Sequence, residues 1–188
     1  TYSSTGAASY SGLGFQPDFV WIKRRSDAQG NGLFDSNRGT TKVLASDTTA
    51  QENTSSGLTS FDSDGYTMGT FYNQSGYTYV GWCWKANGGT TVSNSEGSLT
   101  VNVQANQAAG FSIVSYTGGN GSWGYPSTFG HGLSAAPEFM IFKELNNTDA
   151  WTVFHHSVGN GGGSSAAHNN LRLDNTDALY TNQSYKSF

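Results

Sequence analysis

Residues 12–39 recur, in register and without a gap, 120 positions further along the chain. Gly12-Leu13-Gly14-Phe15-Gln16-Pro17-Asp18-Phe19-Val20-Trp21-Ile22-Lys23 falls on Gly132-Leu133-Ser134-Ala135-Ala136-Pro137-Glu138-Phe139-Met140-Ile141-Phe142-Lys143, and Phe34 and Gly39 fall on Phe154 and Gly159. The second copy then gains residues 160–167, rich in Gly and Ser, before Val43, Thr48 and Ala50 resume against Leu171, Thr176 and Ala178. Self-similarity on this scale means one supersecondary unit used twice, which confines the chain to folds assembled from two like pieces. The copies are unequal. Ser187-Phe188 resembles Ser60-Phe61, so residues 62–85 have no counterpart in the second copy, and residues 111–116 have none in the first. Either the chain is a piece of a longer array, or neighbouring copies complete each other's sheets.

Each copy reads as strands. Residues 19–23 and 139–143 are short apolar runs of β-branched and aromatic residues, each set off by a preceding proline. Residues 98–103 alternate polar with apolar, as a strand with one wet face does, and 111–116 form another run. Residues 77–85 predict a long aromatic strand, with Tyr77, Tyr79, Gly81, Cys83 and Lys85 on one face and Thr78, Val80, Trp82 and Trp84 on the other. Asn31-Gly32, Asp64-Gly65, Asn87-Gly88 and Asn120-Gly121 are dipeptides suited to turns with positive φ. No stretch has the period of an amphipathic helix. Aromatics at 14% supply a core, while 25 glycines and abundant Ser, Thr and Asn favour tight turns over helix interiors. The expected fold is all-β, an antiparallel sandwich or jelly roll. Its first unit spans residues 1–90, a connecting strand and linker 91–110, and a second, truncated unit 111–188.

Four linked motifs carry a resemblance. They are residues 12–25 (Gly-Leu-Gly-Phe-Gln-Pro-Asp-Phe-Val-Trp-Ile-Lys-Arg-Arg), Asp35-Ser36-Asn37-Arg38-Gly39, residues 57–66 (Gly-Leu-Thr-Ser-Phe-Asp-Ser-Asp-Gly-Tyr) and Tyr79-Val80-Gly81-Trp82-Cys83-Trp84-Lys85-Ala86. Residues 111–118 and 130–143 look like the opening of a next copy. Together they resemble a repeated domain of uncharacterised function found in tail-fibre and other virion structural proteins of bacteriophages, cyanophages included. That resemblance implies a place on a virion surface or outside the cell, assembly with identical subunits, and contact with a host-surface glycan or protein receptor. It implies no particular chemistry. The expected role is therefore a non-enzymatic structural or adhesion module. The alternatives are a lectin-like carbohydrate-binding module and a subunit of an extracellular filament closed by strand exchange.

The charge balance agrees with such a role. A net charge of −4 gives no general attraction to phosphate, and Lys23-Arg24-Arg25 reads as a solvated rim at a strand end, so no nucleic-acid partner is expected. No apolar run is long enough for a membrane helix, and no membrane insertion is expected. Cys83, the single cysteine, sits among apolar and aromatic neighbours and reads as an inert buried thiol.

Candidate sites follow from side-chain chemistry. Trp123 and Tyr125 lie in a glycine-rich loop, and Phe71 and Tyr72 precede Asn73-Gln74-Ser75. Flat rings beside amide and hydroxyl donors stack on sugar faces or form the centre of a protein interface. Asp62 and Asp64, alternate carboxylates before Gly65, outline a weak calcium loop without the later acidic ligand, and a hairpin turn is the simpler reading. His155 and His156, adjacent in a strand, would point to opposite faces and make a poor zinc pair, even with His131 and His168 in the chain. No cofactor is expected, and no catalytic residue. Glu138 shares its register only with Asp18, both after a proline, and no nucleophile elbow is present.

Overall fold

A computed structural model describes residues 1–118, 127–159 and 169–181 of the chain. The strands of the first unit are β1 (Tyr2–Ser3), β2 (Ala8–Ser11), β3 (Phe19–Arg24), β4 (Asn31–Asp35), β5 (Lys42–Val43), β6 (Asn53–Thr54), β7 (Leu58–Asp62), β8 (Gly65–Met68) and β9 (Thr78–Trp84). A connecting group follows, β10 (Val92–Asn94), β11 (Val101–Asn106) and β12 (Phe111–Ser115). The second unit contributes β13 (Phe139–Phe142), β14 (Thr152–His155), the single helical turn α1 (His156–Gly159) and β15 (Leu171–Arg172). The protein is all-β and its strands pair antiparallel, as the sequence predicts.

The first unit is a sandwich. One sheet has the order β1-β9-β3-β4 and the other β2-β8-β7, with the small ribbon β5-β6 at the side. Their inner faces close on Val20, Ile22, Phe34, Val43, Leu58, Tyr66, Met68 and Tyr79. Burial of this apolar area is the main favourable term for the unit. Strand β9 has the faces its alternation predicts: Tyr79 is buried and Cys83 packs against the core, while Trp82 and Trp84 point away from it. Burial pushes the Cys83 thiol up to about 11, so it stays protonated.

Strands β3 and β4 are covered on both faces. Leu33 and Leu44 pack outward against Trp151, with Phe19, Trp21, Leu145 and Leu173 around them. The indole Nε1 of Trp151 donates to the carbonyls of Ala45 and Thr48, at 2.9 and 3.2 Å. The second unit is thereby seated on the outer face of the first. Its sheet, β13-β14-β15, repeats the β3-β4 pair at matching positions, and β15 lies against β14 much as β5 meets β4 through the bridge Leu33↔Leu44. Ser36 N donates to Asp18 O at 2.9 Å in one copy, and His156 N to Glu138 O at 2.8 Å in the other.

Asp18 is the polar centre of the first unit. It has no exposed surface. Its Oδ2 accepts from the amides of Ala86 and Gly88, at 2.7 and 2.8 Å, and its Oδ1 from the amide of Gly89 and the hydroxyl of Ser36. Gly88 and Gly89 reach the carboxylate because both adopt positive φ, 61° and 80°. Ser36 also lies 2.7 Å from Gln104 Oε1, and Asn37 Nδ2 donates to the carbonyls of Asn102 and Ile113, which brings the β10-β11-β12 sheet to the same junction. Strand β12 pairs with β11 within the chain.

Several sequence expectations need correction. Gly32 and Gly65 do not have positive φ. Gly32 lies inside β4, and a Cβ on Gly65 would come within 1.8 Å of the Tyr10 carbonyl, so strand proximity explains that glycine. Among the four turn dipeptides, Asn87-Gly88 shows the expected conformation, and Asn120-Gly121 lies outside the described residues. The alternating run at 98–103 begins its strand only at Val101, because Ser98 and Leu99 bond sideways to Thr128. Arg24 is no solvated rim: it is buried, donates to Asp27 and Gln74, and stacks 4.0 Å from the Tyr77 ring centroid. Finally, α1 starts at His156, so the rings of His155 and His156 stack at 4.8 Å instead of diverging.

Two measurements test this account. Asp18→Ala strands several amides and should cost roughly 2–4 kcal/mol in urea denaturation, whereas Glu138→Ala, an exposed side chain at the same register, should stay within about 0.5 kcal/mol. Thiol labelling of Cys83 at pH 8 should be slow in the folded protein and rise steeply through the unfolding transition. Above pH 9 its raised folded-state pKa works against the fold, so that part of the stability is lost as the pH climbs towards 11.

Candidate functional site

Asn73 is fully buried, and it sets the loop between β8 and β9. Its Oδ1 accepts from the Tyr10 hydroxyl at 2.9 Å, its Nδ2 donates to the carbonyl of Gly6, and its own carbonyl accepts from Ser4 Oγ at 2.7 Å. A residue so enclosed is no glycan acceptor in the folded chain, although Asn73-Gln74-Ser75 has the sequon pattern. The two residues before it are thereby presented at the side of the sandwich.

Tyr72 lies over two glycines. A Cβ on Gly32 would meet its ring at 2.9 Å and a Cβ on Gly57 at 2.6 Å, so the ring occupies space those positions leave open. It meets Phe34 edge-on, with centroids 5.6 Å apart and planes at 84°. Burial first, and the nearby Asp47 second, raise the Tyr72 phenol, which keeps it a neutral hydrogen-bonding group. Phe71 in turn stands edge-on to Tyr72 at 5.0 Å and is 56% exposed.

These rings form one wall of a cleft of about 440 Å³. Val43, Ala45 and Ala50 supply further apolar surface, and Gln51, Asn53, Thr54, Ser55 and Ser56 supply amides and hydroxyls. The lining contains no carboxylate, imidazole, amine or thiol. Such a surface can stack on a flat apolar ligand face and exchange hydrogen bonds at its rim. The opposite wall, β5-β6, is braced from behind by Arg38, which bonds Asp35, Glu52 and the carbonyl of Leu33. Lys42 reaches the second Glu52 oxygen at 3.5 Å, and the Glu52 amide donates to the carbonyl of Leu145 in the second unit.

The structure thus brings Phe71 and Tyr72 together in one site. Trp123 and Tyr125 lie outside the described residues. Asp62 and Asp64 are engaged separately. Asp62 accepts from the hydroxyls of Ser60 and Thr67, and Asp64 from the amides of Gly12 and Gly14. Among the described residues no three His, Cys, Asp or Glu side chains gather as a metal site. His131 Nδ1 accepts from the Leu133 amide, while His168 lies outside the described residues.

A second aromatic surface escaped the sequence reading. Trp82 and Trp84 are exposed on the outer face of β9, beside Trp21, Phe19 and Phe111. Their shared face was legible from alternation, but not that this face looks outward. The signal was present in the opposite set, whose Tyr79, Gly81 and Cys83 combine core size with one close-approach glycine.

If Gly57 seats Tyr72, Gly57→Val should push that ring into the cleft. Loss of the Phe34–Tyr72 contact and overpacking should cost roughly 1–3 kcal/mol by thermal denaturation, and the near-ultraviolet tyrosine signal should change.

No curated protein matches the chain, and no solved structure does. A family model described as a domain of unknown function, DUF7483, matches residues 1–187. The duplicated β-unit and the aromatic cleft are therefore features of a member of that family: this chain belongs to the DUF7483 domain family.

Proposed function

We propose that this chain is a non-catalytic adhesion module of a virion appendage or other extracellular structure, and that the Phe71–Tyr72 cleft takes a saccharide of the surface it contacts. The observation that carries this reading is the make-up of the cleft: two adjacent rings with planes inclined at 67°, with amides and hydroxyls around them and no charged side chain. Sugars present apolar C–H faces and a fringe of hydroxyls, and neutral rings with amide partners match both. A lining of this kind has no group suited to general acid or base work near neutral pH. The virion setting draws its support from the sequence motifs, and assembly with identical subunits belongs to the same reading. Among the described residues no helix is long and apolar enough to cross a membrane.

A glycan array that includes microbial surface polysaccharides tests the proposal. The wild-type chain should retain at least one class of neutral glycan, and Phe71→Ala should weaken that binding about tenfold while leaving the melting temperature nearly unchanged, because the ring is exposed. Binding that ignores Phe71→Ala, or no binding to any glycan, defeats the saccharide reading. Release of oligosaccharides from a bound polymer would overturn the non-catalytic part.

A further inference from the structure

The loop between β5 and β6 belongs to the cleft wall opposite Phe71 and Tyr72, and its Ala45, Ala50 and Gln51 line the cleft. Its own unit fixes this loop at Leu44, which exchanges backbone hydrogen bonds with Leu33 at 2.8 and 3.1 Å, and at Asp47, whose Oδ1 accepts from the Asn31 amide at 3.2 Å. The second unit supplies further ties. The Trp151 indole Nε1 donates to the carbonyls of both Ala45 and Thr48, and Leu145 O accepts from the Glu52 amide at 2.9 Å. A donor shared between two carbonyls holds the chain curled between them. Trp151 is only 4% exposed, packs on Leu33 and Leu44 of the first unit, and donates its own amide to Asp174 Oδ1 at 2.7 Å. The first copy uses the same main-chain device, from Asn31 to Asp47, so the amide contact belongs to the repeated unit. The indole does not. It stands where the first copy has Asn31, and it reaches across to the first unit's cleft wall.

We propose that Trp151 is a positioning residue of the cleft, and that filling the cleft and seating the second unit on the first are one linked equilibrium. The clamp stands on geometry alone, while the identity of the ligand rests on the saccharide reading above. Trp151 is not among the lining residues, so it acts through the two carbonyls it holds. With the indole in place the wall is ordered before a ligand arrives, and binding does not bear the cost of ordering it. With the indole withdrawn, the loop depends on the Leu44 and Asp47 ties and on the Glu52 amide, and the ligand must supply the missing order. Such linkage is reciprocal: a ligand that favours the ordered wall favours the seated second unit by the same factor.

The test uses the whole chain. In a Cys83→Ser background, a nitroxide on Ala50→Cys, an exposed position of the wall, reads the loop without any ligand. Its motion should be restricted with Trp151 in place. In Trp151→Phe, which keeps an aromatic ring and loses the donor, its rotational correlation time should shorten roughly threefold. Asp174→Ala, which releases the Trp151 amide, should free the label in part and decides the matter where Trp151→Phe fails to fold. The second readout is taken on the unlabelled chain, with a neutral oligosaccharide of the class that the wild type retains. Trp151→Phe should bind it about fivefold more weakly. Saturation should raise hydrogen-exchange protection at residues 151–154 in the wild type and not in the variant. A Trp151 that merely adds stability would lower the melting temperature and move neither the nitroxide nor this protection. A nitroxide spectrum unchanged in both variants overturns the clamp. Equal oligosaccharide affinity in the wild type and Trp151→Phe overturns the linkage and leaves the saccharide reading standing. A wild-type chain that binds no glycan defeats the saccharide reading and the linkage together, and the nitroxide still decides the clamp.

Discussion

A carboxylate removed from water must have every lone pair answered, and in this protein that demand falls on Asp18. Three backbone amides from the turn after β9 and the Ser36 hydroxyl from the corner after β4 meet it. The exit of β9 is tied to the entrance of β3, and the corner after β4 is tied to both. Through Ser36 and Asn37 the β10-β11-β12 sheet joins the same point. The motif Asp35-Ser36-Asn37-Arg38-Gly39 thus has a physical reading, residue by residue. Asp35 holds Arg38, Ser36 meets Asp18, Asn37 reaches the connecting sheet, and the Gly39 amide closes the turn on the Asp35 carbonyl.

The two copies keep their backbone pattern and diverge where each meets its surroundings. His155 and His156 replace Asp35 and Ser36, Val158 replaces Arg38, and the second unit has no comparable polar junction among the described residues. Trp151 stands where the first copy has Asn31, and its indole bonds two carbonyls of the β5-β6 region. Duplication has in effect converted one copy into a brace for the other. That brace bears directly on the cleft, because Ala45, Ala50 and Gln51 line it while Glu52 and Ala45 are held by the second unit. The cleft wall is therefore fixed by contacts that a single copy would lack.

Much of this was readable in the residues. The faces of β9, the position of β3 and the equivalence of β13 followed from alternation and repeat register, since both are local properties of a pleated chain. The site was half readable: Phe71 and Tyr72 stood out as rings beside amides, but the other wall, residues 43–56, comes from a ribbon distant in sequence. Glycines misled wherever their cause was a neighbour across space. Gly65 makes way for Tyr10 and Gly32 for Tyr72, neither of which a dipeptide rule can register. Arg24 misled in the same manner, because Tyr77, Asp27 and Gln74 lie beside it only after folding.

Taken alone, the order of residues determined that the chain would be pleated, antiparallel and built twice, for periodicity and repetition are written along one dimension. Which face of each strand would be dry, which carboxylate would be enclosed and which aromatic rings would meet water were decided by tertiary structure. Those outcomes depend on what arrives from elsewhere in the chain. Asp18 and Glu138 show the difference: at equivalent places after equivalent prolines, one is enclosed and one is bare, because β9 and its terminal turn close over the first alone.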